Sequence, residues 1–497
     1  MTIDAVDEAV GTRSGSLPRT SAQRRLGRNL CWMGVAIFIG SLIQYALYFW
    51  VARHLGPAEY GLFSVALTIA VLSGPFVDLG MSVTLVWVGA RDPERLSTTI
   101  GSSIAWRCAL TLPVGGLAML VMAGSSSGPA LLALFAPLYL ATAFDGLGTL
   151  FSAAFQARER MDLAASTMLS RNVLRAVAFG GALLFDSGVM GLAWWALAGS
   201  ALGALWSWWL LRRHMEVSFE RPLRWAVLRG AIPFGLGIIA TMAHQQIDVV
   251  MLGAMTTSAE VGAYHAGVRF YILAQLVAHT VAVVAQPLSY RRGLAGAAAS
   301  SAILRLKTAG LGILGTLGAL LFALCADDMV RIALGDEYAA SVPIVLATAP
   351  LVFLKFVSSP LSDTVTSLGR RSSLTIGIWL SLGINVLANA VLIPRHGALG
   401  AVAATAISET ALAIWLVSSV TRSGVQLGWD TLLRHSLILV VLAATLWWSL
   451  RGMAIPASGE WVAALAVLGA AALAALRPTA EESVLLKTVL GRAPVRV

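Results

Sequence analysis

Gly56-Pro57-Ala58-Glu59-Tyr60-Gly61 and Thr257-Ser258-Ala259-Glu260-Val261-Gly262 are two copies of one short pattern within a chain of 497 residues. Each copy is a polar turn between two long apolar runs. Outward from these turns, apolar blocks repeat from one end of the chain to the other. Residues are 58% hydrophobic and only 12% charged, whereas soluble globular proteins carry roughly 25% charged residues. A membrane-spanning helix needs ~20 mostly apolar residues, so lipid is the solvent for most of this fold. The expected spans are 29–52, 59–88, 96–122, 128–155, 163–186, 189–211, 230–254, 260–289, 303–326, 340–367, 373–393, 397–420, 433–450 and 460–476. The expected fold class is therefore all-α, polytopic, with about fourteen transmembrane helices.

Two further echoes accompany the first. Gly188-Val-Met-Gly191 precedes the sixth span and Gly397-Ala-Leu-Gly400 precedes the twelfth. A basic turn at Arg158-Glu159-Arg160 returns at Arg370-Arg371. Together they divide the chain into a polar tail (1–28), a six-helix N-lobe (29–213), a linker (214–228), a six-helix C-lobe (229–421), two appended helices (433–476) and a C-terminal tail (477–497). Both lobes begin on the same side, so the repeats are parallel, related by a pseudo-twofold axis along the membrane normal. Paired lobes with a substrate between them are a transporter architecture.

Basic residues orient the bundle, because loops on the cytoplasmic side are enriched in Lys and Arg. With the N-terminus inside, 26 of the 35 fall on one side, including Arg91, Arg95, Arg158, Arg160, Arg212, Arg213, Arg370 and Arg371; only Arg53, Arg331, Arg395 and Arg451 fall on the other. Both termini are thus expected in the cytoplasm. The net charge of +10 is explained by loops facing anionic lipid headgroups and calls for no nucleic acid. The run from Asn29 to Ala52 is too long for a signal-peptide core and reads as a retained helix. Cys31, Cys108 and Cys325 are scattered through apolar segments, read as small core residues, and form no disulfide framework or metal motif. No cofactor is expected. G-x-x-x-x-G-K-[ST] and H-E-x-x-H are absent from the sequence, and the single G-x-S-x-G match, Gly124-Ser-Ser-Ser-Gly128, joins two apolar spans rather than a strand to a helix and so reads as no nucleophile elbow; this argues against an enzyme.

The segment Val51-Ala-Arg-His-Leu-Gly-Pro-Ala-Glu-Tyr-Gly-Leu-Phe-Ser64 resembles the start of the bacterial polysaccharide transporter family, which includes the O-antigen flippases and lies within the superfamily of multidrug and lipid-linked oligosaccharide exporters. Asp78-Leu79-Gly80, Asp248-Val-Val-Met-Leu-Gly253 and Gly262-Ala-Tyr264 are similar to it too, and the likeness spans roughly 29–421. The resemblance implies alternating access in the inner membrane, moving an undecaprenyl-diphosphate-linked oligosaccharide to the outer leaflet for surface polysaccharide synthesis. It also implies a proton or sodium ion as a possible coupling ion and a polysaccharide polymerase as a possible partner. A peptidoglycan-precursor flippase and a cation-coupled multidrug antiporter are the alternatives within the superfamily.

Five cations fall deep inside expected spans, two turns or more from either end: Arg107, Arg171, Arg175, Arg269 and Lys355. Each costs about 2.5–3.5 kcal/mol at the centre of a lipid-facing helix, so they must face protein, water or an anion. They are the candidate diphosphate ligands, because guanidinium pairs with phosphate bidentately; Arg171 and Arg175, four apart, share one helix face. The intramembrane acids Asp78, Asp145, Asp248, Asp363 and Glu409 are candidates for ion coupling or, alternatively, static partners of those cations. His244, His265 and His279 read as packing residues or proton relays. Trp194, Trp195, Trp206, Trp208, Trp209, Trp447 and Trp448 read as interfacial anchors, and Trp106 as a possible sugar platform. Gly74-Pro75, Pro233, Pro287 and Pro360 mark candidate kinks.

Overall fold

The computed structural model describes residues 19–123, 128–219, 224–293, 297–428 and 437. The thirteenth and fourteenth spans, Trp447, Trp448 and the C-terminal tail lie outside the described residues. Eleven α-helices follow one another: α1 (Arg19–Asp78), α2 (Met81–Arg91), α3 (Leu96–Ala123), α4 (Gly128–Ala157), α5 (Met161–Leu184), α6 (Gly188–His214), α7 (Trp225–Met255), α8 (Ser258–Gly293), α9 (Ala297–Leu334), α10 (Val342–Ser367) and α11 (Arg371–Thr421). Among the described residues the only other regular elements are two short 3₁₀ turns, Pro93–Arg95 and Asp336–Ser341.

Two of these helices are double passes. At 1.5 Å per residue, the 60 residues of α1 and the 51 of α11 are far longer than a bilayer is thick. Each breaks at the glycine of a repeated motif. Gly56 has φ 72° inside α1 and Gly397 has φ 54° inside α11, a left-handed conformation open to glycine at little cost. With α1 and α11 each counted as two passes, the described helices follow the first twelve expected segments with two differences, the earlier of which is a break in the second segment and the later a start at Ala297 for the segment expected over 303–326. The expected span 59–88 is interrupted at Leu79-Gly80, where both residues have positive φ. The Asp78 carboxylate then accepts from the Ser82 backbone N–H and caps the first turn of α2 (3.2 Å).

Successive helices run in alternate directions, so the turns gather at two faces. At the Gly56 face, Tyr338 Oη donates to the Ala52 carbonyl (2.8 Å) and Arg53 to the Ile332 carbonyl (3.1 Å). At the opposite face lie Arg91, Arg95, Arg158, Arg160, Arg212, Arg213, Arg370, Arg371 and Arg422; it is here called the basic face.

The repeat is visible as reciprocal contacts. A Cβ added to Gly61 would lie 1.7 Å from the Ser258 carbonyl oxygen, and one added to Gly262 would lie 1.9 Å from that of Pro57. Each copy of the motif therefore lays its glycine on the backbone of the other, and no side chain larger than hydrogen fits. At the basic face, the Arg224 N–H donates to Ser102 Oγ (3.1 Å) and the Gln426 N–H to Ser301 Oγ (2.8 Å). The chain leaving each six-span set is thus strapped to the third span of its set in the same way.

The apolar core has a matching shape. One large cluster, containing Tyr60, Phe63, Val261, Tyr264 and Tyr338, joins both halves toward the Gly56 face. Toward the basic face each half has its own smaller cluster, Leu85 to Leu211 in one and Leu304 to Val425 in the other. There the halves touch where the Leu79-Gly80 turn meets Ala231 and Gly235 of α7.

Candidate functional site

The ten sequence-nominated residues fall into four groups. Arg107 of α3 is ion-paired with Asp78 at the end of α1 and also donates to Ser82 Oγ (2.8 Å); both partners are almost enclosed. Arg175 of α5 is ion-paired with Asp145 of α4, whose carboxylate also accepts from Ser200 Oγ of α6 (3.1 Å). Arg171, one turn earlier, donates to the Asp145 carbonyl (2.7 Å) and Thr149 Oγ1 (3.1 Å). Asp363 of α10 accepts from Lys307 of α9 (2.6 Å). Lys307, close to the start of the expected span 303–326, lies enclosed in α9, which begins at Ala297.

The remaining four, Asp248, Arg269, Lys355 and Glu409, meet around one cavity of about 190 Å³. Helices α7, α8, α10 and α11 form its walls, and Tyr45 of α1 reaches it from the other half. Lys355 Nζ donates to Glu409 Oε1 (2.7 Å), while Glu409 Oε2 is buried without a hydrogen-bond partner. Asp248 is buried and accepts from three neutral donors: Tyr264 Oη (3.0 Å), Thr405 Oγ1 (2.7 Å) and Asn389 Nδ2 (2.6 Å). Neutral donors stabilise a carboxylate without neutralising it, so the negative charge of Asp248 is left uncompensated.

Arg269 is the converse case. It forms no ion pair with a carboxylate among the described residues. It stacks on the Tyr48 ring, 4.1 Å from the centroid, donates to His265 Nε2 (2.8 Å) and interacts with the Tyr60 hydroxyl, and its Nε has no hydrogen-bond partner among the described residues. A guanidinium can only donate, so His265 accepts at Nε2 and is neutral. The His244 imidazole is fixed likewise. Ser381 Oγ gives its hydrogen to the Ser408 carbonyl (2.7 Å), so His244 Nε2–H must donate to Ser381 Oγ (2.7 Å).

Three sequence readings are corrected in detail. Cys108 is exposed, although Cys325 is buried. Trp106 lies away from the cavity, donating from Nε1 to the Arg224 carbonyl (3.2 Å) and packing on Trp225. Trp208 packs on Phe151, while Trp194, Trp195, Trp206 and Trp209 are exposed, as anchors require. Asn385 and Asn389 were not foreseen. Their signal was present: Ser381, Asn385 and Asn389 recur every four residues along an apolar span, which places one polar stripe on one helix face.

A bundle of alternating apolar spans around a charged internal cavity defines a multi-pass membrane protein with a transporter fold. The model of the family described as "Polysaccharide biosynthesis protein" matches residues 26–291, more than half of the chain, and the chain belongs to that family. No curated protein matches it. Among solved structures, it is similar to "Lipid II flippase MurJ, inward closed conformation", with a TM-score of 0.75, 14% identity, and coverage of 93% of this chain and 99% of that one. It is similar to an inward-facing multidrug resistance MATE family transporter of the MOP superfamily, with a TM-score of 0.61, 15% identity, and coverage of 79% and 98%. It is also similar to a MOP superfamily transporter from Pyrococcus furiosus whose title reports reverse polarity of the binding pocket, with a TM-score of 0.59, 14% identity, and coverage of 80% and 95%. At these identities the likeness is one of fold.

Proposed function

We propose that this protein is a flippase, carrying an undecaprenyl-diphosphate-linked oligosaccharide from the cytoplasmic to the outer leaflet of the bacterial inner membrane by alternating access between lobes 29–213 and 229–421. The observation that carries this reading is Arg269, a cavity cation without a carboxylate partner among the described residues, facing Lys355 across the same space. Burying a guanidinium without an anion is costly, and a diphosphate supplies one with matching geometry. The basic face is the cytoplasmic one by charge asymmetry. Because the halves have separate cores there and share one at the Gly56 face, separation toward the cytoplasm disrupts less apolar packing. Loading from the inside follows. The glycan and the lipid tail require that opening, since about 190 Å³ accommodates only a headgroup.

Asp248 is the candidate coupling site for a proton or sodium ion, because its charge is solvated by Tyr264, Asn389 and Thr405 and neutralised by none of them. Arg107, Arg171, Arg175, Asp78, Asp145 and Asp363 are bracing groups in this reading. A second reading, a peptidoglycan-precursor flippase, is favoured by the fold likeness to the lipid II flippase. One experiment tests both. Depleting the protein should leave cells intact, abolish surface polysaccharide and accumulate lipid-linked oligosaccharide on the inner leaflet, and Arg269→Ala should reproduce this at matched protein level. Lysis with intact surface polysaccharide would transfer the assignment to the peptidoglycan precursor. Normal export by Arg269→Ala would remove the cavity from the mechanism.

A further inference from the structure

We infer that Glu409 is a resident counter-anion: it occupies Lys355 in the empty cavity, a diphosphate headgroup displaces it, and the displaced carboxylate takes up a proton. The inference rests on the diphosphate-flippase reading and specifies how the cavity accepts its charge.

Four side chains around the cavity carry formal charge: Asp248 and Glu409 negative, Arg269 and Lys355 positive. Of the two cavity imidazoles, His265 accepts from Arg269 at Nε2 and so carries no charge, while His244 donates to Ser381 Oγ. Without cargo these four formal charges balance. A diphosphate adds at least two negative charges to a space that already holds two carboxylates. Like charges in a poorly hydrated site raise the proton affinity of whichever carboxylate is least held.

Asp248 accepts three hydrogen bonds. Among the described residues, Glu409 is held through Oε1 alone, by Lys355, and its buried Oε2 has no partner. Lys355 is also the more exposed member of that pair, with 29% of its side chain accessible against 7% for Glu409. An incoming phosphate oxygen thus reaches Lys355 before it meets Glu409. Once Lys355 turns to the phosphate, Glu409 loses its only donor. It faces Lys355 from α10, His244 and Asp248 from α7, Tyr264, His265, Arg269 and Tyr271 from α8, and Tyr45 from α1. Its charge is then removed most readily by a proton from water, which adds to the carboxylate; Lys355 keeps its own proton and no bond of the ligand changes. Headgroup binding and proton uptake become one event, so cargo and proton favour each other's binding. The same device selects against lipids with a single phosphate charge, which cannot displace the carboxylate and still satisfy Arg269.

The test uses the full-length protein in nanodiscs, sodium held constant, and farnesyl diphosphate as the probe. Its affinity is measured between pH 7.5 and 9, where the probe is fully ionised. One proton taken up per ligand weakens binding about tenfold per pH unit, and this is expected for the wild type. Glu409→Gln should bind about tenfold tighter than wild type at the upper end of that range and lose the slope. Binding by Glu409→Gln that is no tighter, or that keeps the wild-type slope, would overturn the inference. If that variant does not fold, Lys355→Met/Glu409→Leu removes the pair as a unit; it should bind more weakly than wild type and without the slope, and a retained slope overturns the inference. Wild-type protein that binds no farnesyl diphosphate at all overturns both this inference and the flippase reading, whereas wild-type binding with a Glu409-independent slope overturns this inference alone.

Discussion

The two halves of the molecule hold similar numbers of intramembrane charges and use them differently. In the half built from α1 to α6, Arg107 and Arg175 each have a carboxylate and Arg171 has a carbonyl and a hydroxyl. These contacts tie α1 to α3 and join α4, α5 and α6. In the half built from α7 to α11, Asp248 has no cation partner among the described residues, Arg269 has no carboxylate, and both face a cavity. Charges that satisfy each other brace helices, because lipid offers no alternative partner. Charges left without a direct partner are held for something that arrives and leaves. The contrast lies in partners rather than in residue types, and it can be broken experimentally.

The largest effect is expected where both halves meet. Gly262→Val places a branched side chain where even a Cβ would lie 1.9 Å from the Pro57 carbonyl oxygen. Backbone cannot yield there without parting the Gly56 face, so transport should stop while the protein still inserts. A disulfide between cysteines placed at Ala58 and Ala259 should form in the parent and fail in Gly262→Val. Efficient cross-linking with full export would show that this contact is not a gate.

Next in size is the bracing half. Arg107→Ala strands the enclosed Asp78 carboxylate with Ser82 alone. Losing one partner of a buried pair costs about 3–5 kcal/mol, which should appear as a clear loss of thermal stability in detergent. Replacing both partners by apolar residues should recover most of it. Arg269→Gln sharpens the comparison from the other side. No carboxylate is stranded, and the losses are a ring contact of about 0.5–2 kcal/mol, a hydrogen bond to His265 and the interaction with the Tyr60 hydroxyl. Stability should fall by less than in Arg107→Ala, yet export should fail. Equal destabilisation by the two variants would erase the distinction between the halves.

The sequence carried the spans more fully than the site. Twelve spans were legible because lipid imposes one long apolar run per crossing, and the breaks at Gly56 and Gly397 were legible because a repeated motif marked them. The turn at Leu79-Gly80 was not, since its left-handed backbone depends on Asp78 folding back onto Ser82. Among the charges, all ten nominated residues could be found by their cost in lipid, but their pairing could not. Lys307, close to the end of its expected span, carried no sign that it would meet Asp363, and Arg269 looked like Arg107 until their partners were seen. Partnering is set by which helices adjoin, and periodicity along a single helix contains no such information. The Ser381–Asn385–Asn389 stripe is the exception, a polar row on one face that a period-of-four reading can detect.

The smallest effect calibrates the rest. Arg160 and Asp162 form a pair at the basic face (3.0 Å), with half or more of each side chain exposed. The geometry is as good as that of Lys355 with Glu409, and distance alone would rank the two together. Water decides otherwise: an exposed pair is solvated whether or not it is formed, so its contribution is about 0–1 kcal/mol and falls with salt. Asp162→Asn should therefore leave melting temperature and export within error of the parent. A loss approaching that of Arg107→Ala would mean that this turn is buried in the working protein, by lipid headgroups or a partner, and that the basic face belongs with the bracing charges.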